Sequence, residues 1–194
     1  MTPQRRPTRR QMLLGCPPDR ARRLWTEGID TPEPARGATP VEPTFTRVGT
    51  AATLVTLPHG SGESSDGPER ARTEHQSGWE LKLAAVADLL PEDPPGDLWF
   101  VLAHTAGPAT PPGGVFSSPD FPLHIAFLRS LLDQGVLVAG GPLPDEPGAG
   151  MTVVHVPDLA TGRRVVDAAQ LEDGAVRAGL LDVRIRPWQV VMAG

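Results

Sequence analysis

Apolar positions recur along this chain with two periods, and the period changes where the elements change. Arg9 to Gly15 is strand-like, and Thr44 to Leu57 (TFTRVGTAATLVTL) has the β-branched content of a hairpin turning at Val48-Gly49. Pro17-Pro18 opens a helix-like segment, Asp19 to Trp25. Over Glu69 to Leu90 the residues Trp79, Leu83, Val86 and Leu90 recur at helical spacing, and Pro91 stops the helix. Gly28 to Pro43 and Pro58 to Pro68 are rich in Pro, Gly, Ser and Thr and read as loops. Glu92 to Gly96 is a short linker stiffened by its prolines.

Beyond the linker the pattern is cleaner. Trp99 to His104 (WFVLAH) is an apolar run of strand length, and Ala106 to Pro119 is a long loop whose composition excludes regular structure. Asp120 to Gln134 is a helix with Leu123, Phe127, Leu128, Leu131 and Leu132 on one stripe, stopped by Gly135. Val136 to Ala139 is a strand ending in a turn at Gly140-Gly141-Pro142, and Pro144 to Gly150 is a second turn. Met151 to Val156 (MTVVHV) is the third strand, and Asp158 to Leu171 a helix burying Val165, Val166 and Ala169. Leu181 to Ile185 begins a fourth strand that Arg186-Pro-Trp188 carries on to Met192.

The order β-α-β-β-α-β is the split βαβ or ferredoxin-like arrangement, so the fold class is α+β. Such a sheet, with both helices on one face, leaves the other face bare. A second copy of the sheet, closing a barrel across a two-fold axis, is the expected cover, and the protein is expected to be a homodimer.

Composition narrows the classes. The chain has 194 residues, 39% hydrophobic and 21% charged, enough to bury a core in one ordinary domain or two small ones. A net charge of −5 argues against phosphate-driven nucleic-acid binding. The arginine cluster from Arg5 to Arg23 lacks the interleaved aromatics of a single-strand binder. A single cysteine, Cys16, excludes a disulfide framework and a Cys-rich zinc site. No apolar run approaches the roughly 18 residues of a membrane span, so no membrane partner is expected. Met1 to Pro17 imitates a basic leader with a lipid-attachment cysteine, but its apolar stretch, Met12 to Gly15, is shorter than the roughly 7–15 residues a signal needs. A cytoplasmic protein is the expectation.

The second half resembles the YciI-like (YCII-related) family over nearly all of residues 97–194. The resemblance rests on Trp99-Phe-Val-Leu, His124-Ile-Ala-Phe-Leu128, Gly135 to Pro142, Asp173-Gly-Ala-Val-Arg-Ala-Gly-Leu180 and Ile185-Arg-Pro-Trp188. It implies a dimeric α+β barrel and a catalytic pair that falls on His124 and Asp173. In the family the aspartate heads an Asp-Pro-Phe-like tripeptide; here it is Asp173-Gly-Ala, and Gly174 leaves the backbone free where the carboxylate has to be fixed.

The chemistry stands beside the resemblance. A histidine held by a carboxylate has its tautomer fixed and its imidazolium stabilised, which suits a general acid or base near neutral pH. No serine or cysteine nucleophile is evident at a matching site, so proton transfer fits better than acyl transfer. Isomerisation or elimination on a small organic substrate is the reading; ligand binding without turnover, and a purely structural pair, remain alternatives. His104, at the end of its strand, is a candidate to face the same pocket, and Trp99 and Trp188 are candidate substrate contacts, weighed against roles in core or interface. His155 reads as a surface or interface residue. No cofactor is called for, and five scattered histidines without His-x-His or His-x₃-His spacing predict no metal site.

Thr53 to His59, Arg72 to Trp79 and Leu81 to Leu90, with Thr8 to Leu14 and Pro17 to Trp25, resemble the SRPBCC (START-like, AHSA1-type) family. That implies a helix-grip fold, abbreviated over residues 1–94 because the middle strands are missing between Ile29 and Pro43. No ligand pocket is assigned to it, and His75 and Trp79 read as packing residues.

Overall fold

Burial alternates along the strands, and hydrogen bonding gathers them into two antiparallel sheets. The computed structural model describes residues 9–27, 42–58, 90 and 95–192, and the chain divides into two units, Met1–Glu92 and Asp93–Gly194. The described residues form a mixed α+β protein with four α-helices. None of these helices is long and apolar enough to cross a membrane.

In the first unit, strand β1 (Arg9–Leu14) and helix α1 (Pro18–Glu27) precede the hairpin of β2 (Thr44–Val48) and β3 (Ala52–Pro58). The sheet order is β1-β3-β2. Gly49, at φ +55°, supplies the left-handed residue that the hairpin turn requires. Leu14, Cys16, Ala21, Trp25, Val55 and Leu57 form the buried cluster between helix and sheet, and the Cys16 thiol is part of it. The Thr53 hydroxyl donates to the Cys16 carbonyl at 2.7 Å, satisfying a buried acceptor where β1 hands over to α1. The expected helix over 69–90 lies outside the described residues except for Leu90, which packs against this cluster. The expected loops over 28–43 and 58–68 lie almost wholly outside them as well.

The second unit runs β4 (Pro95–Ala106), a 3-10 turn (Val115–Ser117), α2 (Phe121–Asp133), β5 (Leu137–Pro142), β6 (Gly150–Asp158), α3 (Leu159–Leu171), α4 (Gly174–Arg177) and β7 (Leu181–Pro187). The sheet order is β5-β6-β4-β7, every neighbour antiparallel. Leu98, Phe100, Leu102 and His104 of β4, with Thr152, Val154 and Val156 of β6, form the buried face. Leu159, Val165, Val166 and Ala169 of α3 are buried, and α3 packs against β4, β6 and β7. Asp158 caps α3 by accepting the Thr161 N–H at 2.7 Å, and Gly135, at φ +71°, follows α2 as expected.

Four expectations need correction. On α2 the inward row is His124, Phe127 and Leu131, while Leu123 and Leu132 are 46% and 59% exposed. The apolar residues do not centre the buried stripe, because a histidine occupies one of its positions. Gly140-Gly141-Pro142 is not a turn but the end of β5, with Gly140 opposite Thr152 and Gly141 opposite Met151; an edge strand tolerates glycine and proline. β7 ends at Pro187, and only the Trp188 N–H, donating to the Trp99 carbonyl at 2.9 Å, stays tied to β4. The loop after β4 contains a 3-10 turn. It is held to the segment before β7 by Gly107 N–H to Leu180 O at 2.8 Å and Ala109 N–H to Gly179 O at 2.9 Å, while Val115 packs with Ala175, Leu180 and Leu181.

Candidate functional site: a buried histidine and aspartate

His124 lies in the first turn of α2, just past Pro122, on the row that faces inward. Asp173 is the N-cap of α4. Forty-nine residues apart in sequence, their side chains meet with His124 Nδ1 2.7 Å from Asp173 Oδ2. An ionised carboxylate only accepts, so the ring proton belongs on Nδ1 and the lone pair on Nε2. The other carboxylate oxygen, Oδ1, accepts the Ala175 N–H at 2.9 Å.

That capping bond corrects the expectation that Gly174 leaves Asp173 loose. The carboxylate is held from two sides, and Asp173 is fully buried. Glycine at 174 serves a different need: a Cβ there would stand 2.8 Å from Leu123 Cβ, so its absence lets α4 lie close to α2.

His104 joins the pair. Its ring meets that of His124 edge-on, with centroids 4.6 Å apart, and it is 3% exposed. Burial first, and the neighbouring His124 second, push its pKa down from 6.5 to about 4, while the Asp173 carboxylate pulls the other way. His104 is therefore neutral at neutral pH. The Leu102 backbone also pulls the pKa up, more weakly than Asp173, and Nε2 is buried without a hydrogen-bond partner. Phe121 and Phe127 lie 6.0 and 6.3 Å from the His124 ring, giving the site apolar walls. His124 keeps 9% of its side-chain surface exposed, so solvent touches the ring at one edge.

Trp99 and Trp188 stand elsewhere. Successive strand residues face opposite ways, so Trp99 is on the other side of the sheet from His104. It stacks on His155 with centroids 4.4 Å apart and meets Trp188 edge-on at 5.9 Å. His155 Nε2 lies 3.4 Å from Asp97 Oδ1. A cavity of about 340 Å³ opens on this face, lined by Val101, Met151, Val153, Arg186, Pro187 and Trp188. In the first unit a cavity of about 500 Å³ lies along α1, lined by Arg20, Arg23, Leu24 and Glu27. Neither touches His124 or Asp173.

Sequence reasoning did not see two features. One is the Asp97–His155 pair, whose only signal is that Asp97 and Trp99 are two apart on a strand. The other is that one ligating atom each from His104, His124 and Asp173 lies within 4.8 Å of the others; the sequence predicts only that His104 faces the same pocket. Local spacing cannot reveal a cluster drawn from a strand, a helix and a cap.

Compared with known proteins, the chain matches no family model, no curated protein and no solved structure.

Proposed function

We propose that the second unit is a ferredoxin-like, YciI-like domain that acts on a small organic substrate by proton transfer. In this reading His124 is the general base or acid and Asp173 its positioning partner. The observation that carries it is the 2.7 Å contact between His124 Nδ1 and a carboxylate that is itself held by the Ala175 N–H. This arrangement fixes the tautomer with Nε2 as the working atom, and burial of Asp173 strengthens its stabilisation of the imidazolium. Loss of a proton next to an electron-withdrawing group, followed by isomerisation or expulsion of a leaving group, needs no more than one such base.

The fold assignment is supported by the sheet order β5-β6-β4-β7 together with the β-α-β-β-α-β succession. Trp99, Val101, Met151 and Val153 form an apolar patch, beside Arg186, on the face opposite His104, and a cytoplasmic homodimer closing over that face completes the proposal. In the first unit, β1, α1 and the β2–β3 hairpin are read as part of an abbreviated SRPBCC-like scaffold.

The test is a screen of small carbonyl and phenolic compounds with the wild-type chain and His124→Ala. Turnover by the wild type is expected to fall by about 10²–10⁴-fold in the variant, the usual worth of a positioned acid or base. Equal turnover would exclude the pair. Sedimentation at micromolar concentration is expected to give a dimer, and a monomer defeats the barrel. The cavity beside Trp188 favours a second reading, ligand binding without turnover. Compounds that quench tryptophan fluorescence in the wild type and no longer do so in Val153→Trp, which fills the cavity, would favour it.

A further inference from the structure

The cluster has a property that proton transfer does not use. His104 Nε2 is a buried nitrogen without a hydrogen-bond partner, an uncommon and costly state for a polar atom, and one ligating atom each from His104, His124 and Asp173 lies within 4.8 Å of the others. A tetrahedral cation with bonds of about 2.0–2.1 Å holds its ligand atoms about 3.3 Å apart. The 2.7 Å His124–Asp173 contact has to open by about half an ångström for this, and His104 has to close by no more than about 1.5 Å.

We propose that His104, His124 and Asp173 bind a single divalent cation of the zinc class through two imidazole nitrogens and one carboxylate oxygen. Imidazole with carboxylate selects zinc, cobalt or nickel over magnesium or calcium, which take oxygen ligands. The cation takes the place of the proton between His124 Nδ1 and Asp173 Oδ2, and that proton moves to Nε2. The metal-bound imidazole then has no free lone pair, so cation binding and base action exclude each other at His124. The inference does not depend on the proton-transfer reading and survives its failure.

The experiment titrates the metal-free full chain with cobalt, read by the visible bands of a tetrahedral site, and then displaces cobalt with zinc. One equivalent is expected, and binding is expected to persist in a triple variant lacking the other histidines, His59→Ala, His75→Ala and His155→Ala. His104→Gln and Asp173→Asn are each expected to weaken it by more than about tenfold, the cost of disturbing even an outer partner of a metal ligand. Absence of binding in the wild type, loss in the triple variant or retention in His104→Gln overturns the site. Should the single variants not fold, ¹⁵N shifts of the two imidazoles on zinc addition to the wild type decide it. Shifts at both rings support the site, and a shift at only one or at neither sinks it.

Discussion

The second unit carries the same pair of chemical groups twice, and the two copies have different surroundings. His124 and Asp173 stand 2.7 Å apart with side chains 9% and 0% exposed; His155 and Asp97 stand 3.4 Å apart at 38% and 70%. Asp173 is held a second time by a backbone N–H, whereas His155 stacks on Trp99. Burial removes the competing water and screening salt, so the inner carboxylate dictates where the imidazole proton sits. At the outer pair the Asp97 carboxylate is solvated, and its 3.4 Å contact with His155 Nε2, a buried atom without a hydrogen-bond partner, leaves the proton position unfixed. What makes a histidine and a carboxylate a site is therefore the packing that α2 and α4 bring, more than the pair itself.

The largest expected effect that separates the copies comes from removing each carboxylate. Asp173→Ala strands a buried imidazole and uncaps α4, and is expected to destabilise the second unit by about 3–5 kcal/mol. Asp97→Ala is expected to cost under about 1 kcal/mol. Urea unfolding followed through amide signals of residues 95–187 measures both, and equal losses would erase the distinction.

Next in size is the pH dependence that His104 confers. Its pKa is near 4 in the folded chain and 6.5 in the unfolded chain. Between those values only the unfolded state binds the proton, so stability falls as pH drops from about 6.5 towards 4. The full span is on the order of 3 kcal/mol, from about 1.4 kcal/mol for each unit of difference. His104→Gln is expected to flatten this part of the stability–pH curve, whereas His155→Gln leaves it in place. A wild-type curve no steeper than that of His104→Gln would place His104 in a more polar setting than its burial implies.

Much of the second unit is legible in the sequence because its strands and helices carry strong periods. Trp99 to His104, Met151 to Val156 and Asp158 to Leu171 fall within or against the observed elements. The differences share one cause: residue type suggests an outcome that position in the fold decides. Glycines and a proline at 140–142 suggest a turn, yet an edge strand has no outer neighbour to demand their N–H groups. Leu123 and Leu132 suggest the core, yet the buried row of α2 runs through His124. On β4 the alternation does mark His104, two residues beyond Leu102 on the buried face, as turned inward. That Asp173 would be gripped from two sides was not legible, because the Ala175 N–H becomes a donor only once α4 forms and Leu123 leaves room only for glycine.

That last contact yields the smallest of the predicted effects and tests how the inner pair is assembled. In Gly174→Ala the new methyl would meet Leu123 Cβ at 2.8 Å and Cδ1 at 2.9 Å. Cδ1 can rotate away, but Cβ is fixed to the helix, so α4 has to move off α2. Over-packing of this kind costs about 1–3 kcal/mol. The shift carries Asp173, next in sequence to the methyl, away from His124, next in sequence to Leu123. The downfield Nδ1 proton signal of His124 is therefore expected to weaken or move. Leu123→Gly removes Cβ as well as Cδ1; Leu123 is half exposed, so this variant alone costs about 1 kcal/mol, mainly for a glycine within a helix. The double variant is expected to recover part of the loss, with a favourable coupling of about 0.5–3 kcal/mol and a partly restored proton signal. Recovery of stability without recovery of the signal would show that helix packing and the histidine–carboxylate geometry are set independently. The contrast with His155 and Asp97 would then rest on burial alone.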